Sequence, residues 1–194
     1  RSFTLDLRET PLPQTPFGGT AAAFTNGMLT VDASNYDNGG QGVAYNDAAG
    51  LQGGTNGGRT GSAVEQTGAG DIGWIDPGEW TEYTISAPTA GAYDLDLLLS
   101  NGGGTGRSAT VDFYKPGAAT PYATSGMIAN PSTGSFNTFV AREADDIALD
   151  AGTQIVRVTF AGGSQDFRSF TLTAPSNPQN PFGGTAPTFT NGLL

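Results

Sequence analysis

Tyr93-Asp94-Leu95-Asp96-Leu97-Leu98-Leu99-Ser100 sets Tyr93, Leu95, Leu97 and Leu99 on one side of an extended chain and Asp94 and Asp96 on the other. Side chains of a strand point alternately to its two faces, so this spacing predicts a strand with one face in a core and the other toward water. A helix needs apolar residues every three to four positions, and no stretch keeps that pattern for three turns. The nearest candidate, residues 141–149, is crowded with Glu143, Asp145 and Asp146.

Moving outward, the same texture recurs. Residues 80–86 read as a strand entered through the turn Asp76-Pro77-Gly78, with Trp80 and Tyr83 expected inside a core. Residues 28–33, 42–45, 63–66 and 71–75 precede it, and 109–114, 121–128, 136–144, 154–160 and 168–172 follow. The 30 glycines and 12 prolines fall largely between these runs, as tight turns require. Parallel pairing would need helical crossovers, which the sequence lacks. The expected fold is all-β, a β-sandwich of the jelly-roll kind.

Three blocks occur twice and in the same order. Arg1-Ser2-Phe3-Thr4-Leu5 returns as Arg168-Ser169-Phe170-Thr171-Leu172, Pro16-Phe17-Gly18-Gly19-Thr20-Ala21 as Pro181-Phe182-Gly183-Gly184-Thr185-Ala186, and Phe24-Thr25-Asn26-Gly27 as Phe189-Thr190-Asn191-Gly192. A repeat at one nearly constant interval is the signature of a tandem array. The spacing changes only in the proline-rich stretch between the first two blocks, where an extended linker tolerates a change of length. Residues 16–175 are accordingly expected to form one complete module. Residues 1–15 would carry the last strand of a preceding copy and a linker, and 176–194 a linker and the first strand of a following one.

Charge and composition narrow the function. Eighteen acidic residues against eight basic ones give a net charge of −10, which repels nucleic acid and anionic membranes. No apolar run approaches the ~18 residues that insertion into a bilayer needs, and no signal peptide opens the chain at Arg1. Cysteine and histidine are both absent, which removes disulfides, the commonest general base and the commonest zinc ligand. The abundance of glycine, threonine and asparagine suits a secreted or cell-surface extracellular protein.

Asp32, Asp76, Glu79, Glu82 and Asp166 are the carboxylates from which an acid/base pair would be drawn. Spacing alone does not show any two of them to be juxtaposed, and the expectation is a binding module, not an enzyme. The run Val31 to Asp47 crowds oxygen-bearing side chains, Asp32 and Asp37 among them, around glycines. It reads either as a structural calcium site or as a polar turn bonded to its own backbone. Trp74, Tyr45, Phe136 and Tyr122 are the aromatics on which the apolar face of a sugar ring would pack.

The residues also carry a resemblance. Val31-Asp32-Ala33-Ser34-Asn35-Tyr36-Asp37-Asn38-Gly39-Gly40-Gln41-Gly42-Val43-Ala44-Tyr45, Gly73-Trp74-Ile75-Asp76-Pro77-Gly78-Glu79-Trp80-Thr81-Glu82-Tyr83 and Ser132-Thr133-Gly134-Ser135-Phe136 are similar to segments of carbohydrate-binding modules of families 6 and 35, in the same order. The resemblance implies a calcium-bearing jelly roll that holds polysaccharide, without catalysis, in a cleft between loops at one end. It places Trp74 and Phe136 on the two faces of a sugar ring. It gives the hydroxyls to Asp166, Asp47 and Asn46, with Asp166 standing where the family usually has Asn. Of the family's acidic pair in the opening strand, this chain keeps Asp32 and has Ser34 in place of the second. Arg168, where Asn or Asp is common, would pair with an acidic sugar. An alternative role is that of a structural repeat in an extracellular fibre or adhesin stalk, its terminal segments packed on neighbouring copies.

Overall fold

The computed structural model describes residues 13–67 and 70–175. The flanking units expected within 1–15 and 176–194 lie outside it, apart from residues 13–15, as does one copy of each repeated block. Ten strands follow in chain order: β1 (Ala22–Ala23), β2 (Met28–Asp32), β3 (Tyr45–Asn46), β4 (Trp80–Ala87), β5 (Gly91–Ser100), β6 (Ser108–Tyr114), β7 (Ala123–Ala129), β8 (Val140–Leu149), β9 (Gly152–Ala161) and β10 (Asp166–Thr173). They build two sheets, one in the order β1-β4-β9-β6-β7 with β3 also paired to β4, the other β2-β10-β5-β8. The only helical turns among the described residues are the short 3-10 segments Phe17–Gly19 and Ala33–Asn35.

The alternation read in β5 is the one that forms. Tyr93, Leu95, Leu97 and Leu99 are buried, Asp94 is exposed and Asp96 half-exposed. From the facing sheet Tyr83, Ile85, Val111, Phe113, Val156 and Val158 point inward to meet them. Tyr83 joins the layers, its ring edge-on to Phe170 at 5.2 Å and its hydroxyl donating to the Ala33 carbonyl at 2.8 Å. An aromatic whose one polar atom is satisfied gives a core its full apolar area at no unpaired polar group.

The acid-rich run 141–149 is a strand whose two adjacent aspartates are absorbed by a bulge. The register with β5 shifts between Tyr93 and Leu95, and Asp146 takes a left-handed φ of 57°. Trp80 departs from expectation. It stands three residues from Tyr83, hence on the opposite, outer face of β4, where the Arg157 guanidinium covers its ring at 4.1 Å. The expected strands at 63–66 and 71–75 are replaced by single bridges, Thr55 to Gln66, Gln66 to Ile72 and Ile72 to Phe167. This run of bridges ties the long loop between β3 and β4 to the first residues of β10. It falls at the end of the sandwich where β4, β6, β8 and β10 begin and β5, β7 and β9 end.

Candidate functional site

Two loops at that end each present one aromatic ring, and each ring rests on glycine. Trp74 follows Ile72, whose backbone N–H and carbonyl exchange hydrogen bonds with those of Phe167, both at 2.8 Å. Its φ of 52° is rare for a bulky residue and turns the indole out of the loop, with 43% of the residue exposed. The inner face of the ring lies along Gly53 and Gly54. A Cβ on Gly53 would stand 2.9 Å from the indole Nε1, and one on Gly54 2.8 Å from Cζ3, so only glycine lets the ring lie flat there. Glu65, 2% exposed, fixes this floor, one carboxylate oxygen accepting the backbone N–H groups of Gln52, Gly53 (2.7 Å) and Gly54 (3.1 Å).

Phe136, 46% exposed, stands on the loop between β7 and β8, its ring against Gly102, where any Cβ would collide with it. Buried Asn101 holds that loop. Its amide donates to the carbonyls of Asn130 at 2.8 Å and Gly104 at 3.0 Å, and its oxygen accepts the N–H groups of Gly103 and Gly104. Asn130 passes the connection on, donating to Gln165 Oε1 at 3.0 Å, and Gln165 donates to the carbonyls of Gly162 and Ser108. Three loops are thereby fastened by one satisfied amide network, which keeps the ring in place without ligand.

Trp74 and Phe136 line one open cleft of about 410 Å³, with Asp166, Asp76, Gln52, Asn137, Thr67 and Ser164 as its polar groups. Asp76 accepts the Gln52 side-chain amide at 3.0 Å. Asp166, the first residue of β10, is 7% exposed. Burial, then the neighbouring charge of Asp71, lifts its carboxyl to about 6, with the Ser100 hydroxyl working weakly the other way.

Trp74, Phe136 and Asp166 line this one cleft, with Asp76 beside them, and the other sugar-binding candidates lie outside its lining. Tyr45 is buried edge-on to Tyr36, and its hydroxyl is taken by the Gly61 carbonyl and the Ala63 N–H. Asp47 accepts the Gly50 N–H at 2.8 Å, and Asn46, in β3, accepts from the Gln41 amide and donates to the Gly78 carbonyl. Arg168 is the extra residue of a bulge in β10, where the pairing with β5 skips from Phe167 to Ser169. The bulge sends its guanidinium onto Asp71 at 2.8 Å and over the Phe139 ring at 3.7 Å, away from the cleft lining. Tyr122 is held elsewhere by Gln154 and Lys115. Gln52, Asn137 and Ser164 were not anticipated. Gly53, Gly54 and Gly102 are the residues in the sequence on whose backbone the two rings lie.

Of the two expected calcium ligands, Asp32 stands exposed at the end of β2 and Asp37 is buried with its oxygens already engaged. Asp37 is filled by hydrogens, from the Thr84 N–H at 2.9 Å, the Thr84 hydroxyl at 2.5 Å and the Gln14 amide at 2.9 Å, whereas a cation needs free lone pairs. The oxygens of that loop converge instead on Arg59. Its guanidinium donates to the carbonyls of Tyr36 (2.5 Å), Asp37 (2.9 Å) and Ser34 (3.2 Å) and to Asn38 Oδ1 (3.1 Å), 3.6 Å above the Tyr36 ring. Among the described residues no three acidic side chains are grouped to hold a metal.

Residues 52–174, more than half of the chain, match the family model described as carbohydrate binding module (family 6). No curated protein matches the chain. Among solved structures it is similar to the C-terminal family 6 module of LamC, a marine laminarinase from Zobellia galactanivorans, at 20% identity over 75% of this chain and 98% of that one, with a TM-score of 0.52. It is also similar to CsCBM6-3 from Clostridium stercorarium, solved with cellobiose, at 21% identity over 80% and 98%, with a TM-score of 0.51. These likenesses show the fold, a family 6 type jelly roll. With the family match over the segment that carries both aromatic loops, the chain belongs to carbohydrate-binding module family 6, a family of non-catalytic binding modules.

Proposed function

We propose that the cleft between Trp74 and Phe136 is where this module holds polysaccharide. The observation that carries the reading is that two exposed rings on separate loops, each backed by glycine, open on one cleft with amides and carboxylates around it. A pyranose offers an apolar face to such rings and hydroxyls to Gln52, Asn137, Asp76 and Asp166. Retention on immobilised polysaccharides tests it. Trp74→Ala is expected to abolish retention while the melting temperature stays within a few degrees. Unchanged retention by the folded variant would refute the reading.

The wider setting belongs to the same proposal: a secreted, multi-module protein in which tandem copies of residues 16–175 raise avidity on a polymer. The repeated blocks support it, and so does the docking of the linker on the module. Thr15 and Asn38 exchange backbone hydrogen bonds at 3.0 and 2.8 Å, and Gln14 reaches buried Asp37. A linker bound this closely also favours the second reading, a structural repeat whose neighbours sit at short, fixed spacing in a fibre. Electron microscopy of a multi-copy chain separates the two, ordered rods favouring the fibre and freely jointed beads the tethered binder.

A further inference from the structure

Resting on the reading of the cleft as a sugar site, we propose that the cleft sorts glycans by charge with Asp166 as the sorting group, holding amino-sugar chains tightest, neutral chains next, and excluding uronate or sulfated chains.

Among the described residues, the cleft lining has carboxylates, Asp76 and Asp166, and no cation. Of the eight lysines and arginines, six lie among the described residues, and none of the six contributes to the lining. Each has another place. Arg168 is held by Asp71 and Phe139, Arg59 by the carbonyls of residues 34–38, Arg157 by Glu82, Lys115 by Asp150 and Arg142 by Asn130 and Pro131. Arg107 packs along Gly104 and Gly162.

Asp166 is the informative group. More than nine-tenths of it is buried, its backbone is fixed at the start of β10, and the charge that acts on it is a second carboxylate, Asp71, whose own positive partner is already in place. A buried carboxylate without a cation gains when a ligand supplies one, and it opposes a ligand that brings a further negative charge. A neutral sugar is tolerated because its hydroxyls donate to the carboxylate. An ammonium in place of a ring hydroxyl would add charge to that same hydrogen bond and face the two aromatic rings as a cation. A carboxylate or sulfate at that position meets Asp166 and Asp76 with no arginine to offset them.

An array of neutral, amino and uronic oligosaccharides in several linkages, probed near neutral pH with the chain and with Asp166→Asn, tests the proposal. The expected bound set contains no uronate, and the free-amine form of a bound backbone exceeds its neutral counterpart about tenfold. In Asp166→Asn the ratio of amine to neutral binding should fall to about threefold or less, whatever the change in absolute affinity for the neutral chain. Uronates among the bound set, or an amine preference that survives Asp166→Asn undiminished, would overturn the charge sorting and leave the cleft as a sugar site. An empty array from folded protein would overturn both.

Discussion

Two oxygen-rich regions of this molecule look alike in sequence and are opposites in structure. The loop from Val31 to Asp47 and the end that carries the cleft both gather carboxylates and amides around glycine. In the first, the chain supplies its own cation, and the Arg59 guanidinium takes up three carbonyls and an amide oxygen. In the second, no cation from the described residues enters, Asp166 stays buried beside Asp71, and two aromatic rings remain open. The closed set of oxygens is architecture. The open set is what a binding module leaves for its ligand.

The largest expected effect of breaking this contrast lies on the closed side. Arg59→Met removes four charge-assisted hydrogen bonds and leaves their carbonyls to find water, and about 3 kcal/mol of stability should go with it, read from urea denaturation. For a domain of this size that is a fall of about 6–12 °C in melting temperature. Glycan affinity of the protein that remains folded should stay unchanged. Because the guanidinium holds those oxygens, adding calcium or a chelator should move the wild-type melting temperature by less than about 1 °C. A large rise with calcium would mean that the loop binds the ion after all.

The next effect lies on the open side and depends on pH. Asp166 is held at about 6 against a usual 3.8, so its ionised form destabilises the fold by roughly 2–3 kcal/mol. Below about pH 4 the carboxyl is protonated in both folded and unfolded chains and contributes no difference. Between about 4 and 6 the unfolded chain ionises first and the wild type loses stability, and above about 6 the loss is constant. Asp166→Asn should thus melt higher than wild type at pH 7, with the gap closing toward pH 4. An equal gap at both pH values would contradict the assignment.

The smallest effect concerns the glycine under Phe136. Gly102→Ala adds only a methyl group, yet that methyl would enter the ring. Displacing Phe136 into the cleft should weaken glycan binding about tenfold, near 1.4 kcal/mol, with stability little altered. Isothermal titration on the bound polysaccharide checks it.

The alternation at Tyr93–Ser100 and the turn chemistry between runs made the sandwich legible, because the period of two reports burial directly. The cleft was legible at Trp74, Phe136 and Asp166, where motif resemblance singled out three positions far apart in the chain. What brings them together, the Ile72 to Phe167 pairing and the Asn101, Asn130 and Gln165 network, joins residues far apart in the chain and leaves no local pattern. Tyr45 and Arg168 were misplaced for related reasons. A tyrosine in a polar run reads as exposed until its hydroxyl is seen bonded to Gly61, and the direction of Arg168 depends on a bulge that shifts its strand by one residue. Trp80 had its face misassigned because the apolar count within β4 says nothing of which parity meets the core.

The chain has two tryptophans, and they separate the central claim cleanly. Trp74 opens on the cleft, whereas Trp80 lies on the outer face of β4 beneath Arg157. Titration of the bound glycan, followed by the two indole N–H resonances in a proton–nitrogen correlation spectrum, should shift one of them strongly and leave the other in place. The moving resonance should be the one lost in Trp74→Phe. Saturable binding that leaves the Trp74 resonance unmoved, or that shifts the Trp80 resonance instead, would contradict the account.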